Sequence, residues 1–141
     1  MTDKSILEHV HKHGISEGDI YGAYKIFFGT MVSEPRLKII NLLRHAKKNV
    51  SEIVNELNMD QTSVSHDLAR LKRCGFVKCI SEGKYRYYIL NEETIRPLMS
   101  LIDKHMNAYC VHILREENEP LERQAKNLSV LKVPKIIKNI K

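Results

Sequence analysis

The stretch Asp60-Gln-Thr-Ser-Val-Ser-His-Asp-Leu-Ala-Arg-Leu-Lys-Arg-Cys-Gly-Phe-Val77 decides the fold. Asp60 is a good N-cap, and Ser63 stands three residues later with its hydroxyl near the same helix start. Val64, Leu68 and Leu71 recur at helical spacing and give the segment one buried stripe. Gln61, Thr62, Ser63, Ser65 and His66 fill the other positions, and Gly75 is placed to end the helix. Short hydrogen-bonding side chains in the first two turns, followed by Arg70, Lys72 and Arg73, suit reading base edges while neutralising phosphates. The segment is expected to be a DNA-recognition helix.

Working outward, the residues before it divide into three helical patterns. Ile20 to Val32 is apolar-rich. Ser33-Glu34-Pro35 then reads as a helix start, with Pro35 tolerated in the first turn and the helix running to about Ala46. Ser51 is expected to cap a shorter helix that buries Ile53, Val54 and Leu57, and Asn58-Met59 turns into the recognition helix.

After it, Phe76 to Ile80 changes to strand character, Ser81-Glu82-Gly83-Lys84 is a turn, and Tyr85 to Leu90 returns. Strand alternation sends Tyr85 and Tyr87 to one face and Tyr88 to the other, with at least one of them expected in the core. Asn91 is expected to cap a long helix from about Glu92 to Glu117, with Pro97 as a kink. Along it Ile95, Leu98, Met99, Ile102, Met106, Tyr109, Cys110 and Ile113 form a wide apolar stripe. So long a stripe on a small domain predicts a dimer interface.

Composition agrees with one domain of 141 residues, 43% of them apolar, carrying a net charge of +6. Residues 121–141 set Arg123, Lys126, Lys132, Lys135, Lys138 and Lys141 against Glu122 alone, so most of the excess lies in a basic tail. The segment 60–90 is also basic, through Arg70, Lys72, Arg73, Lys78, Lys84 and Arg86 against Asp60, Asp67 and Glu82. A basic patch on a nearly neutral body fits a specific DNA binder better than a general polycation. The domain is read as residues 1–120 and the tail as 121–141. Disorder, packing on the dimer and added phosphate contact all stay open for the tail.

Cys74, Cys79 and Cys110 form no close pair of the kind that builds a zinc knuckle or a redox dithiol. The odd count and the absence of a leader or an apolar span predict a cytoplasmic setting. There is no phosphate-binding glycine loop, nucleophile elbow or His-Glu-x-x-His pattern, so no enzyme is expected.

The order of these elements resembles the ArsR/SmtB family of winged helix-turn-helix repressors: mainly α, a β-hairpin wing, and a homodimer through terminal helices. Ser33-Glu34-Pro35-Arg36-Leu37-Lys38-Ile39 looks like the family's Ser-Asp-Pro-Thr-Arg-Leu-x-Ile signature, shortened by one residue. Gln61-Thr-Ser-Val-Ser-His-Asp-Leu68 and Leu71-Lys-Arg-Cys-Gly-Phe-Val77 resemble its Gln-x-x-Val-Ser-x-His-Leu and Leu-x-x-x-Gly-Leu-Val. Asp67 stands where that pattern has histidine, with His66 one place earlier. The resemblance implies an effector-responsive repressor whose two recognition helices enter successive major grooves of double-stranded DNA. On that reading Gln61, Thr62, Ser63, Ser65 and His66 face the groove, Arg70 and Lys72 contact backbone, and Lys84 with Arg86 bring the wing to the minor groove. A constitutive or architectural DNA-binding protein without sensing is the alternative.

The family's sensor sites can be sought in the same way. Its thiolate site needs Cys-x-Cys before the recognition helix, and Ser51-Glu-Ile-Val-Asn-Glu-Leu57 has no cysteine. Its zinc-type site resembles Asp-x-His early in the last helix, followed after ten residues by His-x-x-His or His-x-x-Glu contributed by the partner subunit. Asp103-Lys104-His105 matches the first half, while Glu116 and Glu119 occupy the second. His105, His112, Glu116 and Glu119 are spaced to share one face of a regular helix. With Asp103 they form a carboxylate-rich candidate set for Zn²⁺ or another divalent metal. Polar groups flanking the apolar stripe are the open alternative. The tract His9, His11, His13 and the lone Cys110 are weaker candidates.

Overall fold

The computed structural model describes residues 14–118, with side chains described through residue 115. The histidine tract and the basic tail from residue 121 lie outside the described residues. The chain separates into a unit ending at Arg96 and a second beginning at Pro97.

In the first unit, α1 is Glu17–Met31, α2 is Glu34–Leu43, α3 is Val50–Leu57 and α4 is Gln61–Arg73. Strands β1 (Val77–Glu82) and β2 (Tyr85–Leu90) follow. Each helix begins on a side chain that accepts a backbone N–H: Ser16 for α1, Ser33 for α2, Asn49 for α3 and Asp60 for α4. Asn49, rather than the expected Ser51, caps α3. Its Oδ1 takes the Glu52 N–H at 2.8 Å, and the Glu52 carboxylate takes the Asn49 N–H at 3.3 Å. The reciprocal box explains the choice: three residues after Asn49 comes Glu52, whereas three after Ser51 comes Val54, which cannot reach back. α2 ends at Leu43, short of the expected Ala46.

The end of α4 is fixed as firmly as its start. Gly75 takes the left-handed conformation at φ 77°. Its N–H bonds the Lys72 carbonyl at 3.1 Å, while the Phe76 N–H bonds the Leu71 carbonyl at 2.9 Å. This is the paired pattern of a Schellman stop, with Phe76 and Leu71 supplying the buried apolar contact that accompanies it. The Phe76 ring stacks on Phe27 of α1 at 5.0 Å. Around them Ile39, Ile40, Leu43, Ile53, Val64, Leu68, Val77 and Leu90 are buried in the same core.

β1 and β2 pair antiparallel, from Val77 opposite Leu90 to Glu82 opposite Tyr85, around a two-residue Gly83-Lys84 loop. Gly83, at φ 61°, occupies the first loop position, where a hairpin turn demands positive φ. On the other edge of β2, Lys48 forms an isolated bridge to Tyr88, exchanging N–H···O bonds of 3.2 and 2.8 Å. Tyr87 and Tyr88 are half-buried and Tyr85 is exposed, so none of the three joins the fully buried core. Burial, with Cys79 opposite it, pushes the Tyr88 phenol above its ordinary pKa.

The last helix differs from expectation at its start and in its middle, and ends at Asn118, close to the expected Glu117. Asn91 does not cap it directly. Its Oδ1 accepts from Glu93 and Thr94 in a local turn, its Nδ2 donates to Gly75 O at 2.9 Å, and α5 starts at Ile95. Pro97 therefore falls in the first turn, where no intrahelical N–H bond is lost, and is no kink. α5 ends at His105, a π-helical segment covers Met106–Cys110, and α6 is Val111–Asn118.

Candidate nucleic-acid interface

The first turn of α4 is organised by one carboxylate. Asp60 Oδ2 accepts the Ser63 N–H at 2.9 Å and the Ser63 hydroxyl at 2.8 Å. These bonds, the backbone one first, hold the Asp60 carboxyl below its ordinary pKa. With Val64, Leu68 and Leu71 fully buried, helical periodicity turns Gln61, Thr62, Ser63, Ser65 and His66 outward, and all five are exposed. Thr62, Ser63 and His66 line a groove of about 450 Å³ together with Pro35, Met59, Asp60 and Asp67.

The expected cations divide into two groups. Lys72, Lys84 and Arg86 are exposed, the first on α4 and the others on the hairpin. Arg70 is half-buried instead and points its Nε at the Thr30 hydroxyl of α1, 3.4 Å away. Its side chain holds α4 against α1, which helical periodicity alone did not reveal.

Sequence reasoning also missed the centre of that contact. Arg36 donates to the Thr30 carbonyl at 2.8 Å and the Gly29 carbonyl at 3.1 Å, both at the end of α1. Its remaining arm lies 3.3 Å from Asp67 Oδ1 on α4. Thr30, fully buried, donates its hydroxyl to Ile26 O at 2.7 Å and sits 3.4 Å from Cys74 Sγ. A signal was present in the chain: Asp67 follows Val64 by three residues and thus lies beside the buried stripe, where a carboxylate needs a partner.

The wing has its own anchor. Lys47 Nζ lies 2.6 Å from both Glu82 carboxylate oxygens and 5.0 Å from the centre of the Tyr87 ring. Lys48 Nζ lies 2.8 Å from Glu56 of α3, a hydrogen bond that raises the Lys48 pKa. The loop between α2 and α3 thus grips the hairpin by backbone and side chain together.

The candidate metal set lies only partly within the described residues. Asp103, His105 and His112 are exposed, while the side chain of Glu116 and all of Glu119 lie outside the described residues. The π segment between His105 and His112 adds a residue to the turn, rotating the residues beyond it by roughly 100° from where a regular helix would place them. His105 and His112 therefore stand on either side of an irregular turn. Among the described residues no three His, Cys, Asp or Glu side chains are grouped to hold a metal ion. The three cysteines are free thiols, each half-buried.

A capped recognition helix, its supporting helix and an anchored hairpin define a winged helix-turn-helix protein. The profile of the family described as "Bacterial regulatory protein, arsR family" matches residues 33–78. An HTH-type transcriptional regulator of Methanocaldococcus jannaschii is 33% identical over 70 residues, covering 49% of this chain and 79% of the relative. The cadmium resistance transcriptional regulatory protein CadC of Listeria innocua is 36% identical over 76 residues, or 53% of this chain and 64% of CadC. In structure, the homodimeric winged helix-turn-helix DNA-binding domain of a Mycobacterium bovis protein superimposes with a TM-score of 0.62 at 24% identity, covering 68% of this chain and 89% of that one. The chain belongs to the arsR family and is a winged helix-turn-helix transcriptional regulator. Among the described residues no helix is long and apolar enough to cross a membrane.

Proposed function

We propose that the protein acts as a homodimeric repressor that binds an operator through α4 and leaves it in response to an effector. The supporting observation is the division of α4 into two faces. Val64, Leu68 and Leu71 are sealed in the core, while Gln61, Thr62, Ser63, Ser65 and His66 stand exposed on a capped, rigid helix start. Side chains of this kind present donors and acceptors to base edges, with Gln61 suited to a bidentate contact with adenine. Lys72 supplies a phosphate contact from α4, and Lys84 with Arg86 carry the hairpin to the adjacent groove. Arg70 contributes by seating α4 on α1.

A second copy of the chain is the partner proposed for the exposed apolar side chains. Tyr21, Tyr24 and Phe28 form a ladder on α1, with rings 6.3 and 6.4 Å apart, and Tyr109 and Ile113 are exposed in the second unit. A two-fold dimer would present two α4 helices one turn of DNA apart, roughly 34–36 Å. Residues 1–120 are read as the part that binds DNA and dimerises, and 121–141 as a separate basic tail.

The test replaces Ser65 and His66 by alanine together. Specific operator binding in a gel-shift assay should be lost while sedimentation still shows a dimer; unchanged operator affinity would sink the assignment. Operator affinity of tag-free protein, measured before and after chelation, separates a metal-responsive repressor from one released by another effector.

A further inference from the structure

We infer that Ser63 selects a base carrying an exocyclic amino group, adenine through N6 or cytosine through N4, in the major groove. The inference deepens the DNA-reading role proposed for α4 and rests on it.

A serine hydroxyl has one hydrogen to donate and two lone pairs to accept with. In the structure the hydrogen is already spent, because Ser63 Oγ lies 2.8 Å from Asp60 Oδ2 and donates to it. The direction is settled by the partner. Asp60 also accepts the Ser63 N–H at 2.9 Å, and both bonds favour its ionised form, which can only accept. What the exposed Ser63 hydroxyl offers to DNA is therefore a pair of acceptor sites.

That restriction excludes most of what DNA displays. Phosphate oxygens, guanine N7 and O6, adenine N7 and thymine O4 are all acceptors and leave Ser63 without a bond. The donors on the major-groove edge are the amino groups of adenine and cytosine. The surroundings agree: the groove beside Ser63 is lined by Asp60 and Asp67 and by no lysine or arginine. Such a surface repels a phosphate and favours the positive edge of an amino group. Arg36, which reaches Asp67 from behind, is already bound to it and to two carbonyls.

The test uses the full chain and an operator enriched from randomised duplexes. In that operator each adenine is replaced in turn by purine and each cytosine by 2-pyrimidinone, which lack the amino group, and each guanine by 7-deazaguanine, which lacks the N7 acceptor. Wild type should lose about 3- to 10-fold in affinity at one position per half-site, the range of a single hydrogen bond. Ser63→Ala should bind the unmodified operator that much more weakly and ignore the substitution at that position, while staying sensitive elsewhere. The alanine keeps the backbone N–H that Asp60 caps, so the helix start survives. Ser63→Thr, which keeps the hydroxyl, should restore the sensitivity. If Ser63→Ala responds to every amino deletion as wild type does, or its lost sensitivity maps instead to 7-deazaguanine, the assignment of Ser63 is overturned and the DNA-reading role stands. If no sequence is enriched at all, both fall.

Discussion

Arg36 joins α1 to α4: its guanidinium bonds the Gly29 and Thr30 carbonyls and reaches Asp67 at 3.3 Å, both side chains of the pair being 17% exposed. The carbonyls belong to the last turn of α1, where the helix dipole is negative, so one cation neutralises a helix end and a carboxylate together. The pair explains why this chain tolerates aspartate where the resembling family pattern has histidine. Asp67 faces inward to Arg36 and holds the recognition helix, and His66, one residue earlier, takes the exposed position.

Arg36→Ala should therefore cost more than a surface charge deletion. It removes three hydrogen bonds and leaves Asp67 without its cation, at a cost of roughly 2 kcal/mol for groups this far from water. Urea unfolding followed by circular dichroism should show a lower midpoint with an unchanged slope. A midpoint equal to wild type would show that the contact carries no stability.

The relocated cap of α3 can be separated from the expected one by two single substitutions. Asn49→Ala should destabilise by about 1 kcal/mol, because it removes the Oδ1 that accepts the Glu52 N–H and leaves only the backbone half of the box. Ser51→Ala should change stability by less than about 0.5 kcal/mol, as befits an exposed residue inside the helix. The reverse ranking in thermal or urea unfolding would return the cap to Ser51.

These cases show which parts of the molecule were legible in the chain and why. The core of α4 was readable because Val64, Leu68 and Leu71 declare one face, and Asp60 and Gly75 declare both ends. The hairpin was readable from Gly83 between two β-rich runs. Asn49 and Ser51 are both good caps, and only the residue three places on distinguishes them. The Arg36–Asp67 pair joins positions 31 residues apart, beyond any local periodicity. The π segment defeats spacing arguments altogether, since counting from His105 to His112 assumes a regular turn that Met106–Cys110 does not make.

The wing cations should act on DNA differently from the α4 side chains. Lys84 and Arg86 are exposed on the hairpin, and a phosphate contact releases a counterion whatever the sequence beneath it. Lys84→Ala and Arg86→Ala should each weaken specific and non-specific duplexes alike. Each should reduce the slope of log affinity against log salt by about 1. A variant that keeps the full salt slope but changes the preferred operator would assign that residue to base reading.

The Asp60 cap predicts a pH dependence with a definite sign. Hydrogen bonds from Ser63 depress the folded-state pKa of Asp60 below its ordinary value of 3.8. A depressed carboxylate contributes stability that is complete above the unfolded value and is lost as pH falls through the folded one. Asp60→Asn keeps an oxygen acceptor for the Ser63 N–H but cannot titrate, and asparagine caps as well as aspartate does. The difference in urea midpoint between wild type and Asp60→Asn should therefore shift against wild type as pH drops from about 5 to about 3. Ser63→Ala removes the second of the two bonds, so the shift should move closer to the ordinary carboxylate range in that background. A difference that stays constant across the interval would mean that the carboxylate gains nothing from its ionised form, and Ser63 would then be free to donate elsewhere.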